Sequence, residues 1–294
     1  MPAPIQKTKK APSIKRKATA AFAFFLVLAA YFYIQNNGVT VTQIEVSSRK
    51  IPEAFSGYKI LQVSDLHNKS FSEDQVNLTE KMTRIKPDVI VFTGDLVDSK
   101  RYSEDEAVTL ARKSRSIAPV YFVTGNHEWL SGKYSSLEKK LKKAGVIVLR
   151  NEAVELSKGP DSVRLMGIDD PAAESGGYNE PAVAEKGIRL AGGEEKSDYT
   201  ILLSHRPELL QVYAKYNVDL VFSGHAHGGQ VRLPFIGGLI APNQGLLPKL
   251  TVGKHTSKDT TMVISRGLGN SVIPVRAGNQ PELVVVSLRK NGQD

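Results

Sequence analysis

From Tyr58 onward, short unbroken apolar runs alternate with segments whose apolar residues recur every three or four positions. The runs predict strands at Lys59–Ser64, Asp88–Thr93, Val120–Thr124, Arg164–Ile168, Thr200–Ser204, Leu220–Ser223, Thr261–Arg266 and Glu282–Leu288. Several are continuous Val, Ile, Leu and Phe, the pattern of strands covered on both faces. The intervening segments predict helices with readable starts. Ser72 with Gln75, Ser103 with Glu106 and Ser135 with Glu138 have capping-box spacing, and Gly145 falls where the third helix ends. Pro207 suits the first turn of a fourth. Glu174–Glu195, rich in Gly, Ala and Glu, is undecided and is expected to border or cover a site. The alternation predicts an α/β layered domain.

Ahead of this domain the pattern changes. Ala18 to Ile34 reads ATAAFAFFLVLAAYFYI without a charged residue, close to the roughly 17 residues at which a helix begins to span a bilayer. The order expected is a basic cytoplasmic tail over 1–17, a transmembrane anchor or signal over 18–34, a juxtamembrane connection over 35–57 with one β-like stretch at Val39–Val46, and the domain over 58–294. Lysines before the apolar run and none just after it place the N-terminus in the cytoplasm and the body outside. A cleaved export signal is the rival, with Val27-Leu28-Ala29 suited to a peptidase; Tyr31, Phe32 and Tyr33 favour an uncleaved anchor with an aromatic belt.

This leader changes the meaning of the net charge. Of the formal +9, Lys7, Lys9, Lys10, Lys15, Arg16 and Lys17 supply six; the rest carries 33 of the 39 basic residues against 30 acidic ones. So nearly neutral a body has no electrostatic footprint for nucleic acid, which disfavours a nuclease. The absence of cysteine removes disulfides, thiolate metal sites and thiol nucleophiles, leaving His, Asp, Glu and Asn as strong metal ligands.

Those residues are not scattered. Asp65-Leu66-His67, Gly94-Asp95, Gly125-Asn126-His127-Glu128, Ser204-His205 and Gly224-His225-Ala226-His227 each follow an apolar strand by one to three residues. Ligands in open α/β sheets bind beyond the carboxyl ends of strands, so the five clusters are expected on one rim. In an extended segment Asp65 and His67 point the same way. Asp95, after the sharp turn that Gly94 permits, is a candidate bridging carboxylate. In an extended backbone Asn126 faces a metal while His127 faces the space above it, where an imidazole suits proton donation. Glu128 is read as surface-solvating or as orienting a ligand imidazole, and Asp98 as supporting the site at most. The glycine-framed His225 and His227 suit two neighbouring cations. His255 has no assigned role.

Taken in order, these clusters resemble the calcineurin-like metallophosphoesterase superfamily, whose pattern D-x-H, G-D, G-N-H-[E/D], H, G-H-x-H is complete here. The likeness runs from about Tyr58 to Leu288, and the leader, Gly167–Pro171 (GIDDP) and Gly224–Gln230 (GHAHGGQ) make it most similar to the small bacterial membrane-associated or exported branch. The resemblance implies a four-layer αββα sandwich of two mixed sheets behind one transmembrane helix. It implies two divalent cations (Mn, Fe or Zn), one held by Asp65, His67, Asp95 and His227, the other by Asp95, Asn126, His205 and His225. It also implies attack on phosphorus by a bridging hydroxide, with His127 as general acid.

A phosphodiesterase or pyrophosphatase acting on a lipid-linked or cell-envelope phosphoester is therefore expected; the alternative is a catalytically silent scaffold at the membrane. UDP-diacylglucosamine precursors are cleaved by some members of the branch. That chemistry is expected at the cytoplasmic face, in tension with an outward-facing domain. Arg206, Arg232, Arg266 and Arg276 are each read as surface or structural arginines in preference to phosphate-binding. The apolar Phe235–Pro248 segment is read as a packed loop, with membrane docking or acyl-chain binding as its alternatives.

Overall fold

The continuous apolar runs pair as the inner strands of two six-stranded sheets, seen in a computed structural model that describes residues 14–174, 179–195, 197–270 and 273–292. In chain order the elements begin with α1 (Ile14–Asn37), β1 (Thr40–Ser48), β2 (Lys59–Val63), α2 (Val76–Ile85), β3 (Val89–Thr93), α3 (Asp105–Arg115), β4 (Val120–Val123), α4 (Asn126–Leu130), α5 (Tyr134–Lys143) and β5 (Ile147–Val148). There follow β6 (Glu152–Lys158), β7 (Asp161–Gly167), α6 (Glu180–Leu190), β8 (Thr200–Leu203), α7 (Leu210–Lys215) and β9 (Leu220–Ser223). Two tiny hairpins come next, β10 (Arg232–Leu233) with β11 (Gly237–Gly238) and β12 (Ile240–Ala241) with β13 (Gly245–Leu246), then β14 (Gly253–Ser257), β15 (Thr260–Ile264) and β16 (Glu282–Lys290).

The first sheet runs β1-β16-β2-β3-β4-β5 and the second β14-β15-β9-β8-β7-β6. Both are mixed: β2 to β5 are parallel, as are β7, β8, β9 and β15, while β16 opposes β2 and β6 and β14 are antiparallel edges. Side-chain alternation sorts each strand between two cores. Ile60, Val91 and Val123 meet Leu165, Leu203 and Phe222 between the sheets. Leu61, Val63 and Phe92 meet Leu78, Leu110 and Leu137 of the helices outside the first sheet, and Met166, Leu202 and Val221 meet Ile188 and Tyr213 outside the second. The result is the expected four-layer sandwich. Each fully buried Leu, Ile or Phe contributes about 1.5–3 kcal/mol, so the strand ends that carry the clusters stand on a rigid base.

All eight expected strands form. The sequence pattern missed the two-residue strands β5 and β10 to β13, and also β6 and β14, edge strands reading EAVELSK and GKHTS, whose exposed faces carry charge. Thr40–Ser48, expected only as a β-like piece of a connection, pairs along its length with Glu282–Lys290, so the first sheet starts upstream of Tyr58. The helix starts also differ. Glu138 bridges Lys142, Glu106 accepts from Gln75, and the Gln75 side chain caps Phe71 N–H, so none of the three capping boxes closes. Each acid or amide reached a nearer or more buried partner. Gly145 (φ +86°) does end α5, where Val146 N–H returns to Leu141 O. The undecided stretch supplies α6; its residues 175–178 lie outside the described residues.

The apolar leader is helical from Ile14 to Asn37 with no buried side chain, long and apolar enough to cross a membrane. Residues 1–13 of the expected basic tail lie outside the described residues. The helix ends against the domain. Gln35 Oε1 accepts from Asn279 N–H (3.0 Å), Asn36 Oδ1 from Arg276 N–H (3.0 Å) and the Tyr31 hydroxyl from Gly278 N–H (3.1 Å), while Lys69 Nζ donates to Asn36 O.

Candidate metal centre

Each cluster leaves the carboxyl end of a parallel strand: Asp65 after β2, Asp95 after β3, Asn126 after β4, His205 after β8 and His225 after β9. The two sheets therefore deliver all five clusters to one rim. The loops are not extended, however. Asp65, His67, Asp95, His225 and His227 all have left-handed backbones, with φ between 46° and 64°, a region that Asp and His tolerate better than most residues. Asn126 and His127 lie on the helix α4. The reasoning from extended geometry is thus corrected: Asp65 and His67 converge because consecutive left-handed turns fold the chain around them. Neighbouring loops hold these turns, with Asp65 N–H on Gly94 O (3.0 Å) and His67 N–H on Asp95 O (3.1 Å). Gly94 (φ +92°) is required, since a Cβ there would lie 2.6 Å from Gly125 N and 2.7 Å from His205 Nδ1.

Two donor groups result. Ligand atoms of Asp65, His67, Asp95 and His227 lie within 4.8 Å of one another, and so do those of Asp95, His205 and His225. His67 Nε2 is 3.1 Å from His227 Nε2, and His205 Nε2 is 3.1 Å from Asp95 Oδ2 and 3.2 Å from His225 Nδ1. Asp95 belongs to both groups. At the start of α4, Asn126 Oδ1 is buried with no hydrogen-bond partner among the described residues. Such an atom costs about 1–3 kcal/mol unless something meets it, and a hard cation would. A third group, His67, Asp98 and His127, overlaps the first. His255 lies apart on β14, bonded to Val252 O.

Burial shapes the charge. It lowers His67 to about 3 and holds His225 and His227 well below the usual imidazole range, so these rings are neutral, as ligands must be. Burial would lower His205 too, but the facing Asp95 carboxylate raises it to about 10. Burial also lifts Asp65 to about 6. Within the site, His67 Nδ1, His227 Nδ1 and Asn126 Oδ1 are buried and have no hydrogen-bond partner among the described residues.

Residues 58–229 match the profile of the calcineurin-like phosphoesterase family. The chain belongs to that family. Its curated relatives include an uncharacterized metallophosphoesterase, YkuE, of Bacillus subtilis, 33% identical over 87% of this chain and 88% of that one. An uncharacterized metallophosphoesterase of Aquifex aeolicus is 31% identical over 91% of this chain and 98% of that one. A Bos taurus transmembrane protein with metallophosphoesterase domain is 30% identical over 85% of this chain and 57% of its own length. Membership makes the chain a metal-dependent phosphoester hydrolase, and its N-terminal helix makes it a candidate membrane protein.

Within this phosphoesterase, two supports escaped the sequence reading. Glu128, read as a surface acid or imidazole partner, is fully buried. Its Oε2 accepts from Asp95 N–H (2.8 Å) and Gly125 N–H (2.7 Å), and its Oε1 from Leu96 N–H (2.8 Å) and Val97 N–H (3.3 Å). It clamps the Asp95 loop to the start of α4. The second is Asp170 of the GIDDP stretch, which grips Arg206 through both oxygens (2.6 and 3.0 Å), while Arg206 Nη1 lies 3.1 Å from His225 Nε2. The position of GIDDP just after a strand on the same rim was the available signal. Arg206, Arg232, Arg266 and Arg276 all engage protein acceptors, as expected of structural arginines.

Proposed function

We propose that the phosphoesterase is dinuclear: Asp65, His67, Asp95 and His227 hold one divalent cation, and Asp95, Asn126, His205 and His225 hold the other. The membership of Asp95 in both donor groups carries this reading, and the unpartnered Asn126 Oδ1 supports the fourth ligand of the second. Mixed N and O donors without sulfur suit Mn, Fe or Zn. When bound, such a pair activates water as a nucleophile and neutralises charge on the phosphoryl oxygens.

The protein's own contribution to bond cleavage is His127. Its Nδ1 accepts the Ser99 N–H (3.0 Å), which leaves Nε2 as the ring nitrogen that can carry a proton to a substrate oxygen. The ring packs edge-on to His67 at 4.6 Å, beside the first donor group. We assign it proton donation to the departing oxygen. His127 N–H also donates to Asp95 Oδ1 (2.8 Å), tying the acid to the shared carboxylate.

The substrate is proposed to be a phosphodiester or pyrophosphate attached to lipid or cell-envelope material. α1 supports this: its last turn bonds to Asn279, which itself donates to His227 O (2.8 Å), and to Lys69, two residues from His67. The site thus sits against the end of the anchor. The basic residues before Ala18 favour a cytoplasmic N-terminus with the domain outside. The test is an activity panel after reconstitution with Mn, Fe or Zn, spanning phosphomonoesters, phosphodiesters, UDP-linked lipids and envelope phosphodiesters. Activity in the wild type that is lost with both metals in Asp95→Asn is expected. An Asp95→Asn protein with full turnover would overturn the shared-ligand assignment.

A further inference from the structure

The Phe235–Pro248 segment is not a packed loop. Its two hairpins close their own short ladders, Arg232 and Leu233 against Gly238 and Gly237, and Ile240 and Ala241 against Leu246 and Gly245. That leaves the apolar side chains outside. Phe235 is fully exposed, and Ile236, Leu246 and Leu247 are 60–79% exposed. The sixteen residues Leu233–Pro248 contain no charged side chain, although 23% of the chain is charged. A contiguous uncharged patch of this kind marks an interaction surface.

Its place in the fold selects the partner. The hairpins spring from Arg232, whose N–H donates to Ala277 O (2.9 Å), and Val231 bridges the same residue. The next residues of that strap, Gly278 and Asn279, hold Tyr31 and Gln35 of α1. One strap therefore carries both the end of the apolar helix and the base of the apolar hairpins, so the hairpins are rooted beside the end of α1. The hairpins are also rooted in the metal centre. Gly229, two residues after His227, stacks directly on Gly238, where a side chain on either would collide with the other's backbone.

We propose that this double hairpin is a second membrane contact, an interfacial foot whose Phe235, Ile236, Leu246 and Leu247 enter the bilayer beside α1. The hairpins' short ladders have open edges, which suits the hydrated headgroup level and not the hydrocarbon core, and apolar side chains at this level bind by area buried in the headgroup–acyl boundary. The foot and the anchor would together fix the rim of the metal centre at the headgroup layer. This rests on α1 lying in the bilayer.

The absence of native cysteine makes the test direct. Full-length protein carrying Ile236→Cys or Leu246→Cys, labelled with an environment-sensitive fluorophore, is reconstituted into phosphatidylcholine–phosphatidylglycerol vesicles with or without brominated acyl chains. Phe25→Cys in α1 and Ser116→Cys, exposed at the opposite rim, serve as references. Blue-shifted emission and bromine quenching at 236 and 246, as at 25 and unlike 116, are expected. Quenching at 25 with water-like, unquenched emission at 236 and 246 would overturn the foot while sparing the anchor. No quenching at 25 would overturn the anchor reading and the foot with it. A blue shift at 246 that is insensitive to bromine and grows with protein concentration would overturn the foot in favour of a second copy of the chain.

Discussion

Replacing Glu128 by glutamine conserves shape and removes one negative charge, yet the hydrogen bonds around this side chain make the exchange severe. Each carboxylate oxygen accepts two backbone N–H groups. Whichever way the Gln amide turns, its NH2 faces two donors, so two charge-assisted bonds are lost and donors are left opposed. Burial and the Asp95 charge push the Glu128 carboxyl up to about 7, but the four facing N–H groups can all donate without conflict only to the ionised form. Hydrogen bonds to charged groups contribute about 1.5–3 kcal/mol each. Their shared partner makes them less than additive, so the expected loss is about 3–5 kcal/mol. For a domain of this size that lowers Tm by roughly 6–20 °C. Circular dichroism melting of metal-free protein in detergent reads this loss separately from metal binding, and elemental analysis after reconstitution reads the second consequence, reduced metal retention through a loosened Asp95 loop. A Glu128→Gln protein melting within about 2 °C of wild type with both metals retained would refute the clamp.

Three further outcomes follow from the geometry. His127→Ala should keep its metals by elemental analysis while turnover falls by about 10²–10⁴, with a smaller fall for p-nitrophenyl esters, whose leaving group needs no proton; equal falls for good and poor leaving groups would argue against the acid role. Gly229→Ala places a side chain at φ +76° against Gly238; the left-handed cost and the clash together should remove about 2–4 kcal/mol of stability, and activity should drop with the displaced His227 loop. Arg276→Met should lower the melting temperature more than a surface change does, because the fully buried guanidinium donates to Gly269 O and Arg266 O, and two orphaned carbonyls cost about 2–4 kcal/mol.

The strand ends, and with them the rim that gathers the clusters, were legible because inner strands must be apolar on both faces and polar residues immediately after them stand out. The helix starts were less so. A capping box is a local rule, and Gln75, Glu106 and Glu138 each answered to a tertiary or i,i+4 partner instead. Local conformation at the site was misread for a related reason. Asp65, His67, Asp95, His225 and His227 adopt left-handed turns that nothing in their own triplets demands; the facing loops impose them. Glu128 was invisible as a clamp because its partners are backbone amides of another loop, which carry no sequence signature. Phe235–Pro248 was misjudged by the rule that apolar residues pack inside; its hairpins pair with themselves and leave Phe235, Ile236, Leu246 and Leu247 exposed.

The strand order of the first sheet constrains how the chain can be built. β16, the last of the strands to be synthesised, lies between β1, the first, and β2. Until it arrives β1 has no sheet neighbour and β2 lacks one side of its ladder, although β2 to β5 and the second sheet can pair as they emerge. Assembly of this sheet therefore ends with β16 adding to the edge of β2 and β1 to β16, and such long-range closure is slow. Because α1 leads directly into β1 and the strap before β16 grips its final turn, that closure also completes the coupling of the helix to the domain. A truncation inside β16 would leave a body that is largely folded, joined to its N-terminal helix by a free strand, and exposed along one sheet edge to aggregation.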